Sequence, residues 1–176
     1  PIYCDNRKTL SFPEVRSFIR DEFVRIITEE FATVEVIAGV ATGAIAQAAL
    51  VAGAMNLPMV YIRPSAKSHG LENLIEGVIL PGQKVVVVED LISTGGSSLK
   101  AVRALRDSGA EVLGMVAIFT YGFTLAEENF RLHNCPLYTL SNYEMLLKTV
   151  LDAGGIEEKE LELLKEWRKN PEKWGK

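Results

Sequence analysis

Cysteine is scarce: Cys4 and Cys135 are the only two among 176 residues, too few for the disulfide framework that holds many small secreted domains together. A secretory signal and an apolar run of the roughly 20 residues a membrane helix needs are also missing, so the expectation is a reduced, cytoplasmic protein with no membrane partner. Positive charge is not in excess. With 23 acidic and 19 basic residues the chain carries a net −4, and no basic cluster offsets it, which argues against a nucleic-acid surface. Neither a GxGxxG fingerprint nor a Walker A pattern occurs, which counts against a dinucleotide enzyme or a P-loop NTPase. His133 and Cys135 stand close together, but a pair without further ligands reads as packing or surface chemistry, not as a zinc centre. Repeats and low-complexity segments are absent.

What is present suits one compact domain over 1–176, because 48% hydrophobic content at this length can fill a substantial core. Ser11, Phe12, Pro13 and Glu14 form a capping-box pattern, and Val15, Phe18, Ile19, Phe23, Ile26, Ile27 and Phe31 continue it as an amphipathic helix. Strands are predicted over 34–40, 57–63, 84–90, 112–121 and 137–140. Helices are predicted over 43–55, near 98–108 and over 124–133, with a surface helix over 157–169. Thr124 with Glu127 and Ser141 with Glu144 repeat the capping-box spacing. This alternation predicts an α/β fold with a central parallel sheet flanked by helices. The stretch 64–82 is long for a connection and holds Lys67, His69, Gly70 and Gly77; it reads equally as a mobile lid or as a solvated β-hairpin.

The most informative segment is KVVVVEDLISTGGSS, residues 84–98. Val85–Val88 is β-branched with no polar alternation, as in a strand covered on both faces of a parallel sheet. Glu89 and Asp90 are therefore expected at its carboxyl end, where open α/β sheets bind ligands. Ser93, Thr94, Gly95, Gly96, Ser97 and Ser98 follow, and glycines let backbone N–H groups turn inward toward an anion. The next helix should aim its N-terminus into the same turn. Taken singly, these residues make an ordinary bend with solvated acids. Together, two acids beside a phosphate nest call for hydroxyls or a metal ion as well, and a sugar phosphate with Mg²⁺ supplies both.

This segment resembles the phosphoribosyl pyrophosphate (PRPP) motif of type I phosphoribosyltransferases. PIYCDNR, GVATGAIAQAALVA, YIRPSAKSHG, AIFTYGF and LSNYEMLL, in that order, extend the likeness over nearly the whole chain to the orotate-specific branch of that family. The resemblance implies the type I fold with a small hood over the base, built partly by a segment upstream of PIYCDNR that also carries a lysine near orotate. It further implies transfer of the 5-phosphoribosyl group from PRPP to orotate, giving orotidine 5′-monophosphate and pyrophosphate in pyrimidine synthesis. A purine-type relative or a non-catalytic PRPP sensor of the same fold are the alternatives, although a sensor needs no closing loop with Lys67 and His69.

By the same resemblance, the donor site takes in Glu89, Asp90, Leu91, Ile92, Ser93, Thr94, Gly95, Gly96 and Ser97, with Thr42 and Gly43 near pyrophosphate. Arg63 at a strand end, with Lys67 and His69 on a loop that reaches the neighbouring subunit, would neutralise the leaving group, so a homodimer is expected. Lys67 is the expected electrostatic catalyst, and Glu89 and Asp90 would favour the cation developing on the ribose; alternatively, one acid only caps the turn. Pro64 stands where many members have a second lysine. Ser93, Tyr3 and Arg7 are the candidates for the base, Tyr3 by stacking and Arg7 by pairing with its carboxylate, or else Arg7 only caps the following turn. Mg²⁺ is implied as a cofactor held mainly by substrate oxygens and water, with no dedicated protein site.

Overall fold

A computed structural model describes residues 4–65, 74–169 and 171. The valine run becomes the middle of strand β4 (Lys84–Ile92), with all four side chains fully buried. On either side lie β1 (Val36–Val40) and β5 (Glu111–Thr120), both parallel to it. β2 (Met59–Ile62) pairs with β1 and β6 (Leu137–Asn142) with β5, again in parallel. A two-residue β3 (Ile75–Glu76) closes the far edge, so the order is β3-β2-β1-β4-β5-β6. The sheet is thus parallel except at this edge, where Tyr61 faces Glu76 and Ile62 faces Ile75 in antiparallel register. That pairing ties Ile75–Glu76, inside the 64–82 stretch, to β2. Residues 66–73 of that stretch, including Lys67 and His69, lie outside the described residues, as does Tyr3.

The pleat sends alternate β4 side chains to opposite faces. Val85 and Val87 join Leu99, Val102 and Leu105 of α3 (Gly96–Asp107) and Phe130 of α4 (Thr124–Leu132). Val86 and Val88 join Phe23 and Ile27 of α1 (Pro13–Glu30) and Ala48 and Val51 of α2 (Ile45–Met55). A third cluster sits beyond the carboxyl ends of the strands, where Phe119 and Tyr121 meet Tyr143 and Leu147 of α5 (Tyr143–Asp152) and Trp167 of α6 (Glu158–Lys169). Among the described residues no helix is long and apolar enough to cross a membrane.

Several element ends differ from the sequence reading. β4 does not stop at Asp90, because Leu91 and Ile92 keep pairing with Phe119 and Thr120. α3 begins two residues early, at Gly96. None of the three capping boxes forms as spaced. Pro13 takes the first helical position, its fixed φ making Phe12 the cap, while Ser11 closes a short 3-10 helix, Asn6–Ser11. Thr124 is itself inside α4, behind Phe123, and at α5 Asn142 supplants Ser141 by accepting from the Met145 amide at 3.0 Å.

Candidate active site

The chain order reverses at the β1–β4 boundary: β1 leads through α2 to β2 on one side, while its other neighbour is β4. Crevices at such switch points, beyond the carboxyl ends of parallel strands, are where open α/β sheets take ligands. Two turns flank this one. The first, 41–44, follows β1 and contains Thr42 and Gly43, with a cis peptide between Ala41 and Thr42. The second, 93–95, joins β4 to α3.

Glu89 and Asp90, adjacent in sequence, are driven apart by the pleat. Glu89 points to the α3 side and is 5% exposed. Its Oε2 accepts from the Ser98 hydroxyl at 2.8 Å, and its Oε1 from the Asp90 backbone N–H at 2.9 Å. Burial, helped by the Asp90 side chain, pushes this carboxyl up to about 8 despite those two donors, which oppose the rise. Asp90 points to the α2 side, where its carboxylate lies so close to the α-carbon of Gly43 that a Cβ there would collide with it. The resemblance implies Thr42 and Gly43 near pyrophosphate; the structure brings Gly43 against Asp90, a contact the sequence reading had not foreseen.

The second turn has the form expected of an anion cradle. Gly95 is left-handed, with φ +79°, and a Cβ on it would lie 2.7 Å from the Phe130 ring, so only glycine fits both the dihedral and the space. No side chain caps α3, which leaves its first-turn amides and helix dipole directed at the corner. Ser93, Thr94, Gly96 and Ser97 are exposed there. Asn129 from α4 braces the turn by donating to the Thr94 carbonyl at 2.9 Å. Ile92 is different: its side chain is fully buried in the core, so only its backbone belongs to the site.

Arg63 follows β2 at the same edge of the sheet, and its Nη1 lies 3.4 Å from Glu76 Oε1 across the β2–β3 pair. The structure thus pairs Arg63, at the carboxyl end of β2, with an acid that the sequence reading had not singled out. Arg7 pairs with Asp5 on the 3-10 helix, Nε to Oδ1 at 2.7 Å and Nη2 to Oδ2 at 3.2 Å, and this bond holds the Asp5 carboxyl below its ordinary range. Its neighbour Asn6 makes the contact with the acid corner instead. Asn6 is buried and donates from Nδ2 to the Asp90 carbonyl at 2.7 Å, and the Cys4 amide donates to the Tyr121 hydroxyl at 3.0 Å. Asn6 stands inside the PIYCDNR segment and Ser98 ends the STGGSS run, so both had a local signal.

Beside the corner opens a cleft of about 1320 Å³. Leu91, Ser93 and Thr94 form one wall, Tyr121 to Leu125 another, and residues of α5 and α6, Trp167 and Arg168 among them, the rest. An exposed pair of hydroxyls next to aromatic walls suits a flat polar ring.

A family model described as "Phosphoribosyl transferase domain" matches residues 17–137. The chain is 62% identical over 174 residues to the orotate phosphoribosyltransferase of Bacteroides fragilis, covering 99% of this chain and 82% of that protein. Against the enzyme of the same name from Porphyromonas gingivalis it is 60% identical over 175 residues, covering 99% of this chain and 83% of the relative. The crystal structure of orotate phosphoribosyltransferase from Aeropyrum pernix superposes with a TM-score of 0.75 at 29% identity, over 84% of this chain and 82% of that one.

Proposed function

Because the chain belongs to the phosphoribosyltransferase family, we infer that it works as an orotate phosphoribosyltransferase. It moves the 5-phosphoribosyl group from PRPP to orotate and releases orotidine 5′-monophosphate and pyrophosphate, a step of pyrimidine synthesis. The observation that carries this reading is the identity of about three residues in five, over essentially the whole chain, to enzymes bearing that name.

In the reaction a bond forms from a ring nitrogen of orotate to the anomeric carbon, and the bond from that carbon to the pyrophosphate oxygen breaks. Positive charge spreads onto the ribose ring oxygen as negative charge gathers on pyrophosphate, as in other glycosyl transfers. The turn Ser93–Ser97 supports a 5-phosphate with its amides and hydroxyls, since α3 leaves its N-terminus uncapped. Asp90, seated against Gly43 between the two turns, is assigned to the ribose side, where a carboxylate favours the developing cation, and Glu89, buried on the α3 face with its carboxyl pushed up to about 8, is assigned to the same side as a neutral hydrogen-bonding group. Thr42, Gly43 and Arg63 border the place for pyrophosphate, and Lys67 and His69 are assigned to its charge. Ser93 and Tyr3 are assigned to the base. Arg7 reaches its carboxylate only by leaving Asp5.

Mg²⁺ is assigned to the donor's own oxygens and water. The Asp90 carboxylate beside an amide-lined turn fits a metal-bound sugar pyrophosphate, because it would repel a bare anion. The metal's contribution is to neutralise pyrophosphate as it departs. A homodimer that shares its loops between sites and a cytoplasmic location complete the reading. Loss of orotate absorbance in the presence of PRPP and Mg²⁺, with adenine and hypoxanthine as control acceptors, tests it. Turnover of orotate alone is expected; consumption of PRPP with a purine, or with no base, would overturn it.

A further inference from the structure

Arg168, near the end of the last helix, is far in sequence from every motif above. Yet its Nε donates to the Tyr121 carbonyl at 2.9 Å and its Nη2 to the Gly122 carbonyl at 2.7 Å. A planar guanidinium thus spans two successive carbonyls where the chain leaves β5, a two-point grip that a single ammonium cannot reproduce. Gly122 makes room for it: the residue has φ +63°, and a Cβ there would lie 2.7 Å from Nη2.

The gripped residues face the acceptor side of the site. Tyr121 donates its N–H to the carbonyl of Ile92 at 3.0 Å, the residue just before Ser93. Its ring stacks on Phe123 with centroids 5.6 Å apart and meets Trp167 edge-on at 5.7 Å. Ser93, Tyr121, Gly122 and Arg168 line the same cleft. We propose that Arg168 is a positioning residue for the acceptor base, holding the Tyr121–Gly122 wall at a fixed distance from Ser93 so that a flat anionic pyrimidine fits between them. The guanidinium also places a positive charge at the rim, where an anionic base enters. The inference rests on the orotate-transferase reading.

Steady-state kinetics on the intact protein with Arg168→Ala and Arg168→Lys tests it, each substrate being varied at saturating levels of the other. The expected result is a rise of about tenfold in KM for orotate in Arg168→Ala, with KM for PRPP within about twofold of wild type, because the donor corner is braced by Asn129 and not by α6. Arg168→Lys, able to grip one carbonyl, should fall between, and millimolar ethylguanidinium should restore part of the orotate affinity of Arg168→Ala. An unchanged KM for orotate, or equal rises for both substrates without rescue, would overturn the inference and leave the reading intact. A wild-type protein that does not turn over orotate would overturn the reading, and the inference with it.

Discussion

Replacing Gly43 by alanine asks whether the seating of Asp90 against the β1–α2 turn governs donor binding. Gly43 is not in the left-handed region, so alanine brings no backbone strain. Its methyl would instead come within 2.5 Å of the Asp90 carboxylate carbon. Carbon atoms rest about 3.5 Å apart or more, so the carboxylate must move by about 1 Å. A short acid side chain can rotate, which keeps the stability cost near the lower end for overpacking, about 1 kcal/mol, or about 2–4 °C in Tm at this chain length. Misplacement of a substrate-orienting group by that distance costs on the order of 100-fold in rate. kcat/KM for PRPP should therefore fall about 100-fold while KM for orotate changes little. Orotate absorbance at varied PRPP gives the kinetics, and calorimetry gives Tm. A kcat/KM for PRPP within about threefold of wild type, in a folded variant, would refute the placing of Asp90 at the donor.

Glu89→Gln should make stability less sensitive to pH. Burial pushes the folded-state carboxyl up to about 8 from its ordinary value of 4.5, so folding takes up a proton between those values. Wild-type stability from this group is fully present below about pH 4.5 and is lost as pH rises through about 8, by a few kcal/mol at most. The variant's Tm should gain on wild type from pH 5 to 9; parallel Tm curves would contradict this. Ser98→Ala removes the hydroxyl that Glu89 accepts and should cost about 1–3 kcal/mol in urea unfolding, and no loss would mean that the pair contributes nothing. Lys67→Ala should lower kcat at saturating substrates while leaving Tm unchanged, and an unaltered kcat would remove Lys67 from catalysis.

The β4–α3 corner was legible as a strand end, two acids and a glycine turn because these pieces are contiguous in residues 84–98, and each has a local conformational preference. The core followed from the same logic, since the β-branched run Val85–Val88, without polar alternation, suits a strand buried on both faces, and all four valines are fully buried in β4. Helix starts were read less well. At 11–14, 124–127 and 141–144 the capping-box spacing was present, yet Pro13, Phe123 and Asn142 decided where each helix begins. The divergence of Glu89 and Asp90 needed the pleat, and the hold of Gly43 on Asp90 needed the sheet order that sets β1 beside β4. Asn6 and Ser98 lay inside motifs already noticed but carry no label that distinguishes them from their neighbours. Glu76 and Arg168 are beyond any such reading. Their partners, Arg63 and the Tyr121–Gly122 carbonyls, lie 13 and 46–47 residues away, and only the fold brings them together.

Titration calorimetry with PRPP and Mg²⁺ is the most direct test of the claim that the β4–α3 corner holds a phosphorylated sugar. Saturable uptake at about one donor per chain, in the micromolar to millimolar range usual for enzyme substrates, is predicted, with strong weakening in Asp90→Ala. Absence of saturable heat, or uptake that survives Asp90→Ala undiminished, would contradict it.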